Sequence, residues 1–270
     1  MIFKITLALQ DKQGHQLMPF NYHYPLSWAI HNIIRKSDEQ FASFFHDFGY
    51  GSYRYKFKLF TFSDITIPFT SRGDRMLLVG TIGTFRICFH VPEAADHFLK
   101  GLFINQQIII GDNSSQVIFR IKGIENCLLN LSASPNDIIS VVVQPMSPLV
   151  VGRRRKEKSA SRLYFSPYEI PFVDWLIFSW IQKYKAISSE TDFEIEQLRK
   201  QIKVKIIFFD TAPAERSIVI KAGNHDAQKI RGYTKFRMRL TAPKKMIDLA
   251  LNSGLGIKNS IGMGCVQLID

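Results

Sequence analysis

The stretch Ser253-Gly254-Leu255-Gly256-Ile257-Lys258-Asn259-Ser260-Ile261-Gly262-Met263-Gly264-Cys265-Val266 joins a helix pattern (243–252) to a strand pattern (262–268). Four glycines and one lysine in such a loop have two physical uses. Glycine lets main-chain N–H groups come close to a phosphate, with Lys258 adding charge. Glycine also caps a helix before a tight turn. A dinucleotide-binding reading fails on two counts. The G-x-G-x-x-G pattern requires glycine at 259, where Asn259 stands, and it leaves a strand to open a helix, the reverse of the order here.

Working outward from this loop, the second half reads as strands (140–152), helix (168–187), strand (202–209), strand (228–240), helix (243–252) and strand (262–268). The first half reads as strand (2–10), helices (26–48), strand (53–63), a hairpin around Gly83 (76–91), helix (93–103) and strands to about 124. The alternation of Phe3, Ile5, Leu7 and Leu9 with polar residues gives the first strand its period of two. Pro25 suits a first helical turn, Ser37 with Gln40 forms a capping box, and Gly49 closes the second helix. Ile30, Ile33 and Ile34, then Phe41, Phe44, Phe45 and Phe48, recur at helical spacing as core faces. Both halves follow the order β-α-β-β-α-β. The expected class is therefore α+β, with two tandem ferredoxin-like (RRM-like) domains over residues 1–128 and 129–270.

The net charge of +12 is uneven: residues 1–150 hold 13 Lys/Arg against 11 Asp/Glu, and residues 151–270 hold 22 against 12. A one-sided positive field attracts polyanions. In the strand Arg231-Gly232-Tyr233-Thr234-Lys235-Phe236-Arg237-Met238-Arg239-Leu240, basic and apolar residues alternate. If Phe236, Met238 and Leu240 face the core, Lys235, Arg237 and Arg239 line the other face, suited to phosphates. The run Arg153-Arg154-Arg155-Lys156-Glu157-Lys158 is either a solvated loop or a phosphate-contacting one. The longest apolar stretch, Ile170 to Ile181, contains Asp174 and is too short to span a bilayer. Three separated cysteines fit a reducing cytoplasm. The seven histidines form no H-x-x-x-H pair, there is no C-x-x-C, and the carboxylates are scattered, so no metal site and no cofactor are expected. Any hydrolytic or transesterifying chemistry must then run on side-chain acids and bases.

The glycine-rich stretch resembles the signature G-h-G-x-K-x-S-h-G-h-G (h apolar) of the CRISPR-associated repeat-processing endoribonucleases, the Cas-six family of the RAMP superfamily. All four glycines, Lys258 and Ser260 match. Asn21-Tyr22-His23-Tyr24-Pro25-Leu26, Ile30-His31-Asn32, Phe45-His46-Asp47, Lys58-Leu59-Phe60-Thr61-Phe62-Ser63 and Met146-Ser147-Pro148-Leu149-Val150 resemble further segments of that family. The resemblance implies a cytoplasmic endoribonuclease that binds CRISPR repeat RNA. It would cut precursor RNA without a metal, by attack of a ribose 2′-OH that leaves a 2′,3′-cyclic phosphate and a 5′-OH.

His46 falls on the family's histidine position and His31 where many members carry tyrosine. Lys58 matches the family's lysine if Gly49 to Tyr55 are an insertion, with Lys56 or Arg54 as substitutes. Imidazole can take a proton from the 2′-OH or give one to the leaving oxygen, and a lysine can stabilise the phosphorane. The residues expected at RNA are Lys235, Arg237, Arg239, Gly254, Gly256, Lys258, Asn259, Ser260, Gly262, Gly264, Arg153, Arg154 and Arg155. The alternative is a catalytically weak RNA-binding subunit of a CRISPR ribonucleoprotein. An effector complex and a homodimer are open as further partners, and no membrane is involved.

Overall fold

The computed structural model describes residues 1–10, 16–52, 55–154, 162–208, 212–221 and 227–269. The first half contains β1 (Ile2–Leu9), α1 (His23–Ser37), α2 (Glu39–Ser43), β2 (Phe60–Phe62), β3 (Ile82–Phe89), α3 (Pro92–Ile104), β4 (Gln107–Gly111) and β5 (Gln116–Asn126). Phe3, Ile5, Leu7 and Leu9 of β1 are buried, as their alternation requires. The strands pair antiparallel in the order β2-β3-β1-β5-β4. Helix α1 packs closely on α3, where a Cβ at Gly101 would lie 1.9 Å from the Ile33 carbonyl oxygen.

The second half contains β6 (Ile138–Pro145), β7 (Gly152–Arg154), β8 (Arg162–Tyr164), α4 (Pro171–Lys185), α5 (Asp192–Lys200), β9 (Lys203–Ile207), β10 (Ala214–Ile220), β11 (Gln228–Thr234), β12 (Arg237–Pro243), α6 (Lys244–Ser253) and β13 (Val266–Ile269). Its main sheet has the order β9-β12-β6-β13. In each half the first strand of the β-α-β-β-α-β unit lies between the third and the fourth, so the chain is two ferredoxin-like units in tandem. The hairpins β7–β8 and β10–β11 are additions to the second unit. Residues 127–137, between the two main sheets, contain no helix or strand. No helix of the described residues is long and apolar enough to cross a membrane.

The structure corrects several local expectations. The helix-capping residue is Asp38, whose carboxylate accepts from Phe41 N at 2.8 Å, one position later than the expected Ser37. Ser37 is still helical, and its hydroxyl lies 3.1 Å from His97 Nδ1. Gly83 lies inside β3, and the two strands flanking the expected turn do not pair with each other. Arg75–Leu78 joins a separate sheet with Leu17–Pro19, whereas β3 joins β1 and β2. Gly83 is there because a Cβ would sit 3.1 Å from that of Ile67. The strand expected over 53–63 is broken into short pieces, and 140–152 into β6 and β7. Phe44 and Phe48 are exposed although Phe41 and Phe45 are buried.

The expected basic strand 228–240 is two strands, β11 and β12, broken at Lys235, which takes a left-handed backbone with φ of 61°. Lys235 therefore shares no strand face with Arg237 and Arg239. Those two do lie opposite the buried Met238 and Leu240, as the alternation required.

Candidate active site

The first group of interest is built by α1 and the turn that follows α2. Ile30, Ile33 and Ile34 bury the inner face of α1, which leaves His31 half-buried on its flank. After α2 the backbone widens into a π-helical turn over Phe44–Phe48, closed by the Gly49 N–H donating to the Phe44 carbonyl at 2.8 Å. Such turns re-aim side chains and are frequent at functional sites. Here the turn buries Phe45 and leaves the His46 side chain 65% exposed.

The His31 and His46 rings meet edge to face with centroids 5.4 Å apart. His46 Nδ1 is 2.7 Å from Asp47 Oδ1, and a ring donating there leaves Nε2 as the reactive nitrogen. His31 sits between the Phe45 and Phe60 rings, and its Nδ1 has no protein partner among the described residues. Burial, the nearby Lys58 charge and His46 push its pKa down to about 3, so His31 is neutral at physiological pH. Burial likewise pulls Lys58 down to about 8, against the attraction of Asp47. Among the described residues, no group of three His, Cys, Asp or Glu side chains could hold a metal.

Lys58 also lines a cleft of about 690 Å³ between the two units. Its walls include Lys56, Arg153, Arg154, Arg162, Lys183 and Lys258, and no described residue on them is acidic. Burial, then the Arg162, Arg154 and Lys221 charges, lowers the pKa of Lys258, so the cations repel one another and an anion would relieve them.

Of the glycine-rich loop, the lining is Ile257, Lys258, Asn259 and Ser260. Among the described residues, no acceptor meets the main-chain N–H groups of Lys258, Asn259 and Ser260. The four glycines do not line the cleft. All have positive φ, and a Cβ on any of them would meet protein atoms, that of Gly256 lying 2.3 Å from the Val150 carbonyl oxygen. The loop is pinned across the units: Ser27 Oγ donates to the Ser260 carbonyl at 2.7 Å, and Thr61 Oγ1 to that of Met263 at 3.0 Å.

Of the residues expected from sequence, the fold gathers His46, His31 and Lys58 into one group, and Arg153, Arg154, Lys258, Asn259 and Ser260 into the adjoining cleft. Arg155 and Arg54 lie outside the described residues. Lys56 stacks over the Phe48 ring at 5.1 Å. Arg237 and Arg239 stand on the outer face of the second sheet, apart from the cleft.

Sequence reading missed the pairing of His23, fully buried, with Asp64 at 2.7 Å. Asp64 also pairs with Arg216 of β10, which ties that hairpin to the first unit. The only signal was His23 beside Tyr22; Asp64 lies 41 positions from His23, and Arg216 lies 152 positions from Asp64.

It also missed Lys183, which is fully buried and donates to the Gly254 carbonyl at 2.6 Å, capping α6 where the glycine-rich loop begins. Burial without a carboxylate lowers its pKa to about 7. Between pH 7 and its ordinary value of 10.5 the unfolded chain keeps a proton that the folded chain releases, so stability rises with pH through that window. Wild type should gain about 2 kcal/mol between pH 7 and pH 9 relative to Lys183→Met. Denaturant titrations at both pH values measure this, and parallel pH dependences for the two proteins would refute it.

A family profile described as CRISPR associated protein Cas6, C-terminal, matches residues 133–268, and one described as CRISPR-associated protein Cas6, N-terminal, matches residues 17–125. The CRISPR-associated endoribonuclease Cas6 of Pyrococcus furiosus is 26% identical over 280 residues, covering 99% of this chain and 90% of that protein. Among solved structures, a Cas6-related protein from Pyrococcus furiosus superposes with a TM-score of 0.74 at 20% identity, over 100% of this chain and 98% of that one. A RAMP protein described as binding different RNA substrates gives 0.78 at 17% identity, over 100% of both chains.

Two ferredoxin-like units in tandem, with a glycine-rich loop seated between them, give this chain the fold of that RAMP protein. The chain belongs to the Cas6 family.

Proposed function

We propose that this protein binds CRISPR repeat RNA and cuts the precursor transcript without a metal, yielding 2′,3′-cyclic phosphate and 5′-OH ends. The carrying observation is the convergence of His46, His31 and Lys58 at the edge of a cationic cleft without acidic lining. In this reading residues 1–128 supply the acid–base group and residues 129–270 most of the RNA contacts. Phosphates lie along Arg153, Arg154 and Lys258, and Asn259 and Ser260 offer main-chain N–H groups. Gly254, Gly256, Gly262 and Gly264 shape the loop that presents them.

His46 Nε2 takes the 2′-OH proton while Asp47 holds the ring through Nδ1. The 2′-oxygen bonds to phosphorus and the bond to the 5′-oxygen breaks. That oxygen takes up a proton from solvent water to leave as the 5′-OH, and the resulting hydroxide recovers the proton from His46. Lys58 stabilises the phosphorane, where a fixed cation needs no reorganisation as charge develops. His31, neutral, hydrogen-bonds the reacting group.

The test is repeat RNA incubated in EDTA, with and without a 2′-deoxy nucleotide at the cut. Cleavage in EDTA that vanishes with the deoxy substitution is expected. Activity that needs magnesium or manganese, or that persists on DNA, overturns the reading. The weak basicity of His31 favours one alternative, an RNA-binding subunit that barely cuts. Tight binding without product in the same assay would select it.

The outer sheet face carries Lys203, Lys205, Arg237 and Arg239, with Lys205 registered beside Arg239. It is a second candidate surface for the same RNA. Arg237→Ala with Arg239→Ala should flatten the dependence of log affinity on log salt by about one unit per lost phosphate contact. An unchanged slope would remove this face from the interface.

A further inference from the structure

The cleft has two unlike walls. One is the cationic wall of β7, β8 and the glycine-rich loop. The other is α4, where Trp175, Phe178 and Gln182 all line the cleft. These residues are spaced three and four apart and so share one helical face. The opposite face of α4 makes the core through Phe172, Leu176 and Trp180, which are fully buried.

Phe178 is half-buried and meets two rings edge to face: Trp175 at 5.2 Å and 69°, and Tyr55 at 6.0 Å and 74°. Neither neighbouring ring lies stacked in parallel on Phe178, the arrangement a base would take. Trp175 is more committed, stacked with Phe165 and carrying the Arg153 guanidinium 5.8 Å from its centroid. The Gln182 carboxamide, one turn further along, has no hydrogen-bond partner among the described residues. It therefore keeps both a donor and an acceptor available.

Cations lining the same cleft as an aromatic helix face with a carboxamide at its end match one ligand chemistry. The phosphodiester goes to the cations, the flat base stacks on Phe178, and the base edge meets Gln182. A base already paired in a duplex has neither a free face nor a free Watson–Crick edge to offer. We infer that the α4 wall of this cleft is a specificity subsite for one unpaired nucleotide of the RNA beside the cut, stacked on Phe178 and read by Gln182. This rests on the RNA-cleaving reading above. Lys58 belongs both to the cleft and to the group containing His31 and His46, so the subsite adjoins the scissile phosphate.

The test uses full-length protein and fluorescein-labelled ribo-octamers of A, C and U, an octamer abasic at every position, and repeat RNA for cleavage. Wild type should bind the preferred homopolymer more tightly than the abasic strand. Phe178→Ala should weaken that homopolymer by between about fivefold and about a hundredfold. Abasic binding should stay within twofold, which shows that the phosphate wall and the fold survive. Phe178→Tyr, which keeps the ring, should restore affinity. Gln182→Ala should narrow the spread among A, C and U while leaving abasic binding unchanged.

The subsite is overturned if Phe178→Ala binds the homopolymers like wild type, or loses abasic and natural strands alike. Wild type that cuts repeat RNA yet binds abasic and natural octamers equally overturns the subsite and leaves the RNA-cleaving function standing. Wild type that binds no octamer and cuts no repeat RNA overturns both.

Discussion

Replacing His46 by alanine is expected to slow RNA cleavage by roughly two to four orders of magnitude, the usual contribution of a positioned acid–base group. The expectation follows from how unlike the two histidines are. His31 is packed against Phe45 and Phe60 and held neutral with a pKa of about 3, which makes it a poor proton acceptor. His46 stands exposed on a π-helical turn, with Asp47 holding its Nδ1 and leaving Nε2 free. RNA affinity should change little, because His46 does not line the cationic cleft. Single-turnover cleavage together with a binding titration separates the two effects. A His46→Ala protein that cuts at wild-type speed removes His46 from the mechanism. One that has lost binding in parallel assigns it to the interface.

Gly262→Ala should be strongly destabilising for the addition of a single methyl group. Gly262 has a φ of 78°, and a Cβ there would lie 2.2 Å from one ring atom of Phe62 and within 2.7 Å of two more. Phe62 is fully buried in the core of the first unit and cannot swing aside. The left-handed backbone costs about 1 kcal/mol and the overpacking about 1–3 more, for a loss of about 2–4 kcal/mol. The damage also reaches the cleft, because Gly262 closes the turn Asn259–Ile261 that presents the unpaired N–H groups. Affinity for RNA should therefore fall even at temperatures where the variant is folded. Gly73 is the control: its φ is 61° and nothing lies within 4 Å of a Cβ there, so Gly73→Ala meets the backbone cost alone. Thermal melts compare the two, and equal destabilisation would show that the Phe62 contact does not explain Gly262.

Local patterns carried most of the architecture. The period of two in β1, the apolar stripe of α1 and the order of elements in each half place two ferredoxin-like sheets, because these signals come from residues adjacent in sequence. Where expectation failed, a distant contact had intervened. Gly83 reads as a turn residue because glycine usually is one, yet it is a strand residue facing Ile67. Likewise the basic run 231–240 alternates well enough to pass for one strand, and only pairing of its two parts with different partners breaks it at Lys235.

The site divides in the same way. By itself the sequence determined the glycine-rich loop, the two histidines and the surplus of positive charge in the second half, because residue type and spacing express them directly. Only the tertiary structure decided that Lys58 rather than Lys56 stands beside the histidines, and that Trp175, Phe178 and Gln182 line the same cleft as the cations. It also decided that Lys183 is buried under the loop and that His23 meets Asp64, which in turn pairs with Arg216. Each of these depends on burial and on side chains that the fold brings together from separate elements. A pKa or a cleft belongs to the packed arrangement and has no counterpart in any short stretch of chain.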